Sequence, residues 1–163
     1  MEAVPKPWID LARYREVRLR EALYEAELAE RFLEEGLVRN AAGKAFQAWK
    51  ALVAAYAVDK IEDLRKAYPG VKRLRGGRRA VEKAVWVVAV MPTTQLKRVA
   101  QIVGGEVDAY TDKALHVHEY QYNGPDPQGV LSIYPDDESA AKDIKALAQK
   151  ARELAARAGG RPP

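Results

Sequence analysis

Apolar residues recur along this chain at intervals of three and four, most clearly between Arg20 and Asp59, and that spacing predicts helices with one buried face. Leu19, Ala22, Ala26, Ala29 and Leu33, widened by Leu23 and Phe32, form the stripe of a first helix. Val38, Ala42, Ala45, Phe46, Trp49, Leu52, Val53 and Tyr56 form that of a second. Gly36 lies between them, where a helix C-cap favours a residue of positive φ. The two stripes are expected to close on each other as an antiparallel hairpin. Asp10 is placed to cap the first helix, which should run to about Glu35. Ahead of it, MEAVPKPW has two prolines and no periodicity, which predicts an extended arm over residues 1–9, with Trp8 to pin it.

Asp59 to Ala67 reads as a short helix ended by Tyr68-Pro69-Gly70, a turn signal that also disfavours helix before the proline. Ala84 to Met91 is rich in valine and suits a buried strand or a buried helix. No second clear strand exists to pair with it, so a helix is expected. Pro92 should end that helix, with Thr93 or Thr94 capping the next, whose stripe is Leu96, Val99, Ala100 and Val103. Gly104-Gly105 should stop it, and a further helix is expected over Glu106 to Tyr122. Asn123 to Pro135 is rich in turn formers and predicts a loop with a short extended piece at Val130 to Tyr134. Asp136 should cap the last helix, with its stripe at Ala140, Ile144, Leu147, Ala151 and Leu154, closed by Gly159-Gly160. The expected fold is all-α: one domain over residues 1–163, an antiparallel bundle of about five main helices with a C-terminal tail at 158–163.

At 163 residues the chain is long enough to bury one sizeable core without metal or disulfide staples. It has no cysteine, which excludes a disulfide framework and thiolate chemistry. The longest apolar run, Ala84 to Met91, falls well short of the roughly 18 to 20 residues that a membrane span requires. No leader-like segment opens the chain, so a soluble, cytoplasmic protein without a membrane partner is expected.

Charge changes this picture more than composition does. From Arg65 to Lys83 there are eight basic residues and one acid, a local charge of +7 within a chain of net +4. Solvated charges more than about 10 Å apart are largely screened at ordinary salt, so a polyanion would feel this segment above all others. Its centre, KRLRGGRR from Lys72 to Arg79, is expected to be a basic loop between the second and third main helices, ahead of a helical segment beginning near Ala80. Lys72, Arg73, Arg75, Arg78 and Arg79 are the candidate nucleic-acid-binding residues. The alternative is a connector whose charges are merely solvated, because Gly-Gly matches no phosphate-loop pattern.

Both histidines fall on the helix Glu106 to Tyr122. At 100° per residue, His118 shares an arc with Val107, Tyr110, Ala114 and Val117, whereas His116 lies opposite, nearer Lys113 and Tyr120. Spacing of i, i+2 on a helix cannot bring both to one metal, so neither a metal nor any other cofactor is expected. On its apolar arc His118 reads first as a core or interface residue.

Ala26-Glu27, Phe32-Leu33-Glu34-Glu35-Gly36, Asn40-Ala41-Ala42 and Lys44-Ala45 with Trp49 resemble the PaREP proteins of archaea, as does Ala114-Leu115-His116-Val117. That group is placed in the HEPN superfamily of small helical bundles. The resemblance covers about residues 10 to 155 in layout. It implies a site, because active HEPN members are metal-independent ribonucleases. They carry an arginine, four to six residues, then a histidine, often with a tyrosine two beyond, and two subunits bring their motifs together. Lys113, His118 and Tyr120 stand in that pattern as candidate catalytic residues, with lysine in the arginine position. Lysine keeps the charge but lacks the planar fork that grips a phosphate bidentately. Other HEPN proteins lack the motif and bind nucleotides or partners.

Three readings follow. The chain is a non-catalytic HEPN-like module binding RNA, another nucleic acid or a nucleotide; or it is a metal-independent ribonuclease or toxin; or it is a helical protein-interaction module, since the hairpin also resembles a single tetratricopeptide unit. The resemblance, with Tyr110, Tyr120 and Tyr122 around the histidines, further predicts a homodimer with Glu106 to Tyr122 at or near its interface.

Overall fold

Residues 3–159 are described by the structure, a computed structural model. Seven helices are found among them: α1 (Leu11–Glu34), α2 (Val38–Val58), α3 (Ile61–Ala67), α4 (Lys83–Val90), α5 (Thr93–Val103), α6 (Gly105–Asn123) and α7 (Asp137–Ala158). The count exceeds the expected five because α3 and α4, of 7 and 8 residues, are separate short helices beside the five longer ones. A β-ribbon of β1 (Val71–Arg73) and β2 (Ala80–Glu82) lies between α3 and α4. The chain is thus mostly helical, with one small two-stranded sheet.

Helix α2 touches each of the other six helices. Its sequence explains this: Ala41, Ala42, Ala45, Ala48, Ala51, Ala54, Ala55 and Ala57 are buried on several faces around Trp49, Leu52 and Val53. From Ala51 to Val58 the helix is apolar all round and belongs inside, and alanine keeps the neighbouring axes close. Trp49 is fully buried and donates from Nε1 to Thr111 Oγ1 on α6 at 2.9 Å, and Thr111 in turn donates to its own helix at Val107 O at 2.7 Å. The indole N–H therefore enters the core without losing a partner. Gly36 turns the chain between α1 and α2 with φ 76°.

Capping follows the sequence at two places and departs from it at a third. Asp10 accepts from Arg13 N, and Asp136 from Ser139 N. At α5, however, Pro92 occupies the cap with no side-chain hydrogen bond, and Thr93 is already helical. Proline's fixed φ brings the chain into the helix one residue early. The C-terminal carbonyls of α4 are taken by α1: Tyr14 donates to Val88 O at 2.8 Å and Arg18 Nη2 to Ala89 O at 3.3 Å. Such carbonyls have no intrahelical partner and attract cations.

At the N-terminus, a turn at Pro7–Ile9 leads into α1, and Pro7 is buried whereas Trp8 is only half-buried beneath Lys6. Residues 130–134 form bends rather than a strand, because Asp126 gathers the loop through the N–H groups of Leu131 and Ser132. Gly159 ends α7, and the remainder of the expected tail lies outside the described residues.

Candidate nucleic-acid interface

The basic segment is not the loop that its composition predicts. Lys72 to Arg79 forms most of an antiparallel ribbon, and the helix after it begins at Lys83 rather than near Ala80. Val71 pairs with Glu82, Lys72 with Val81 and Arg73 with Ala80, and Leu74 N extends the ladder to Arg79 O at 2.9 Å. Leu74 to Gly77 then makes the tip, where Gly77 N bonds Leu74 O at 3.1 Å and Gly76 has φ 105°. A positive φ at the third turn position is what glycine supplies without strain. At the base, Lys83 N closes on Gly70 O at 3.0 Å.

Alternation along the strands sorts the side chains. Val81 is buried, and on the same face Lys72 sets its ammonium 4.9 Å from the centre of the Trp86 ring on α4. Arg73 falls on the opposite face. Arg65 of α3 ties the ribbon's base by donating to Glu82 Oε2 at 2.9 Å. Beyond this base Arg73, Arg75, Arg78 and Arg79 are exposed. Among the described residues no acidic side chain pairs with any of the four, and Arg73 has only a 3.4 Å bond to Gly77 O.

Elsewhere on the surface many cations are held by carboxylates. Arg15 is bound by Asp59, Arg31 by Glu27, Lys97 by Asp108 and Asp112, Lys150 by Glu106 and Glu153, and Arg152 by Glu30. This holds even in a groove of about 610 Å³ between α1 and α7, floored by Leu19, Leu23 and Ala155 and flanked by Arg15 and Arg152. A phosphate entering that groove would have to displace carboxylates. At the ribbon it would meet exposed guanidinium groups with no carboxylate to displace among the described residues.

The three residues of the arginine-to-histidine pattern lie on α6 but do not converge within the chain. Lys113 and Tyr120 turn toward α7, where Lys113 Nζ lies 2.7 Å from Asp143 Oδ1 and the buried Tyr120 donates to Asp137. Tyr134 donates to the other oxygen of Asp143 at 2.7 Å. Burial raises the Asp143 carboxyl, but the bonds from Lys113 and Tyr134 more than offset it and hold the group below its ordinary range. Burial, reinforced by the carboxylates they face, pushes the Tyr120 and Tyr134 hydroxyls far up.

His118 faces α2 instead, stacked on Phe46 with ring centres 4.1 Å apart and met edge-on by Tyr122 at 5.1 Å. Its Nδ1 is buried with no hydrogen-bond partner among the described residues. Burial lowers its pKa and the nearby charge of Lys50 lowers it further, against a hydrogen bond to Gln121 and the charge of Glu119. The imidazole is therefore neutral near pH 7.

Partners that the sequence did not reveal are Asp137 and Asp143, Phe46, and Trp86 beneath Lys72. Each lies on a different element from the residue it serves, so no local spacing marks it. Among the described residues no three His, Asp or Glu side chains gather as metal ligands would.

The model of the archaeal PaREP1/PaREP8 family matches residues 17–145. No curated protein and no solved structure matches the chain.

Proposed function

The chain belongs to the archaeal PaREP1/PaREP8 family, and we propose that it is a non-catalytic, HEPN-like helical module that binds nucleic acid through the basic ribbon. One observation carries this reading: Arg73, Arg75, Arg78 and Arg79 stand exposed, clustered on one ribbon and, among the described residues, without acidic partners. Holding four guanidinium groups together costs self-repulsion, which a bound polyanion relieves.

The non-catalytic part is supported by the occupied state of Lys113 and Tyr120 and by the different direction of His118. A metal-free ribonuclease needs a base and a cation at one phosphate. On this helix Lys113 and His118 are about 140° apart, so a productive site would require a second subunit. We place the protein in the cytoplasm as a homodimer. An apolar patch at the end of α6, made by Tyr122, Val130, Leu131 and Ile133 at 68, 74, 62 and 55% exposure, supports an interface there.

The test is electrophoretic shift with RNA and DNA at low and moderate salt. Replacing Arg73, Arg75, Arg78 and Arg79 by Ala should weaken binding and flatten its salt dependence by about one unit of slope per lost phosphate contact. Unchanged binding would move the site off the ribbon. Incubation with RNA in a chelator should show no cleavage by the native protein or by Lys113→Arg. Cleavage that disappears in His118→Ala would establish the ribonuclease reading instead.

A further inference from the structure

We propose that the partner of the ribbon is duplex DNA and that the ribbon enters the major groove; this rests on the nucleic-acid reading above. Geometry is the first argument. Two strands lie about 4.8 Å apart, and with their side chains they form a body roughly 10 to 12 Å across, which a major groove about 12 Å wide admits and a minor groove about 6 Å wide does not. From Arg73 and Ala80, just beyond the packed Lys72–Val81 pair, to Gly76 and Gly77 at the tip, about three residues per strand reach about 10 Å, enough for the groove depth of about 8.5 Å. Beyond its base the ribbon is exposed on both strands, Val81 being its one buried side chain. Leu74, half-buried at the tip, is its other large apolar group besides the exposed Val71.

Chemistry is the second argument. Single strands are held by aromatic rings that stack on bases, and Val71 to Glu82 contains none. Of the rings near its base, Trp86 is already covered by Lys72 and Tyr68 is buried. A-form RNA offers a deep, narrow major groove that side chains do not read. B-form DNA offers guanine O6 and N7 at the groove floor, which suit the planar fork of arginine. The exposed cations beyond the Lys72 position are all arginines, a choice that matches base edges as well as phosphates. A purely electrostatic tether would be served equally by lysine.

The experiment is fluorescence anisotropy with labelled 20-base-pair DNA, RNA of the same sequence, each single strand, and the DNA duplex carrying 5-glucosyloxymethylcytosine, whose sugar fills the major groove. The native protein should bind plain duplex DNA at least about 10-fold tighter than duplex RNA or single strands at matched salt, and about 10-fold tighter than the glucosylated duplex. Equal affinity for duplex DNA, duplex RNA and glucosylated DNA, lost together in the four-alanine variant, would overturn groove entry while leaving the ribbon as a phosphate site. Tighter binding to single strands would overturn it in favour of a stacking site elsewhere. Affinity for DNA that is intact in the four-alanine variant would overturn the ribbon itself. The variant alters only exposed side chains, and its circular dichroism and melting temperature should match the native protein.

Discussion

Lys113 on α6 and Arg75 on the ribbon are both long cations near the surface, yet their surroundings differ in kind. Lys113 is held at 2.7 Å by Asp143, which also accepts from Tyr134, and Tyr120 nearby donates to Asp137. Arg75 stands in a run of other arginines with no acid paired to it among the described residues. The first arrangement joins two helices and a loop, so its energy is spent within the fold. The second contributes little to the fold and leaves its charge available to a partner. Exposed ion pairs are worth only about 0 to 1 kcal/mol, so pairing the ribbon arginines would have gained little stability. Their unpaired state therefore costs the fold little.

Substitutions can break this comparison from either side. The largest effect on stability is expected in the core that both regions depend on: Trp49→Ala should cost about 3 to 5 kcal/mol, because it opens a cavity beside α2 and leaves Thr111 short of a donor. Denaturant unfolding would show it, and a loss under about 1 kcal/mol would mean that α2 is not the packing centre. Tyr120→Phe, which removes one buried hydroxyl while keeping the ring, should cost about 1 kcal/mol. An equal melting temperature would show that the bond to Asp137 contributes nothing to the α6–α7 contact. Replacing Arg73, Arg75, Arg78 and Arg79 by Ala should leave stability within about 0.5 kcal/mol while nucleic-acid affinity falls. Should that variant unfold as readily as Trp49→Ala, the ribbon would be a structural element and the contrast would fail.

The smallest expected effect is one of pH. Burial holds His118 below its ordinary 6.5 in the fold, so the unfolded chain takes up the proton first as pH falls. Its share of stability is complete above about 6.5 and is lost as pH drops from there through the folded value. Comparing urea midpoints at pH 7.5 and pH 5.5, native protein should lose more than His118→Gln. An equal loss in both would place the neutral imidazole outside the folding balance.

Much of the helical frame was legible before any coordinates. The stripes of α1, α2 and α7 are periodic over about four turns or more, and Asp10, Gly36 and Asp136 mark their ends with residues whose chemistry is local. The valine-rich α4 was legible only by elimination, since its run suits strand and helix alike. The ribbon was legible as charge and not as shape. Its strands are three residues each, too short for alternation to show, and their arginines mask the pattern further. For the α6 residues, angular separation on one helix already put Lys113 and His118 on different faces, but it could not say what each face meets.

The sequence by itself determined in outline the buried faces of the long helices, the caps at Asp10 and Asp136 and the turn at Gly36, and where positive charge accumulates. These follow from periods of 3.6, from caps that bond within three residues, and from simple counting. Only the tertiary structure decided that Asp143 and Asp137 would answer Lys113 and Tyr120, that Phe46 would lie against His118, and that no acid among the described residues would reach the arginines of the ribbon. Each of these depends on the approach of elements distant along the chain, and electrostatic pairing falls off within a few ångströms.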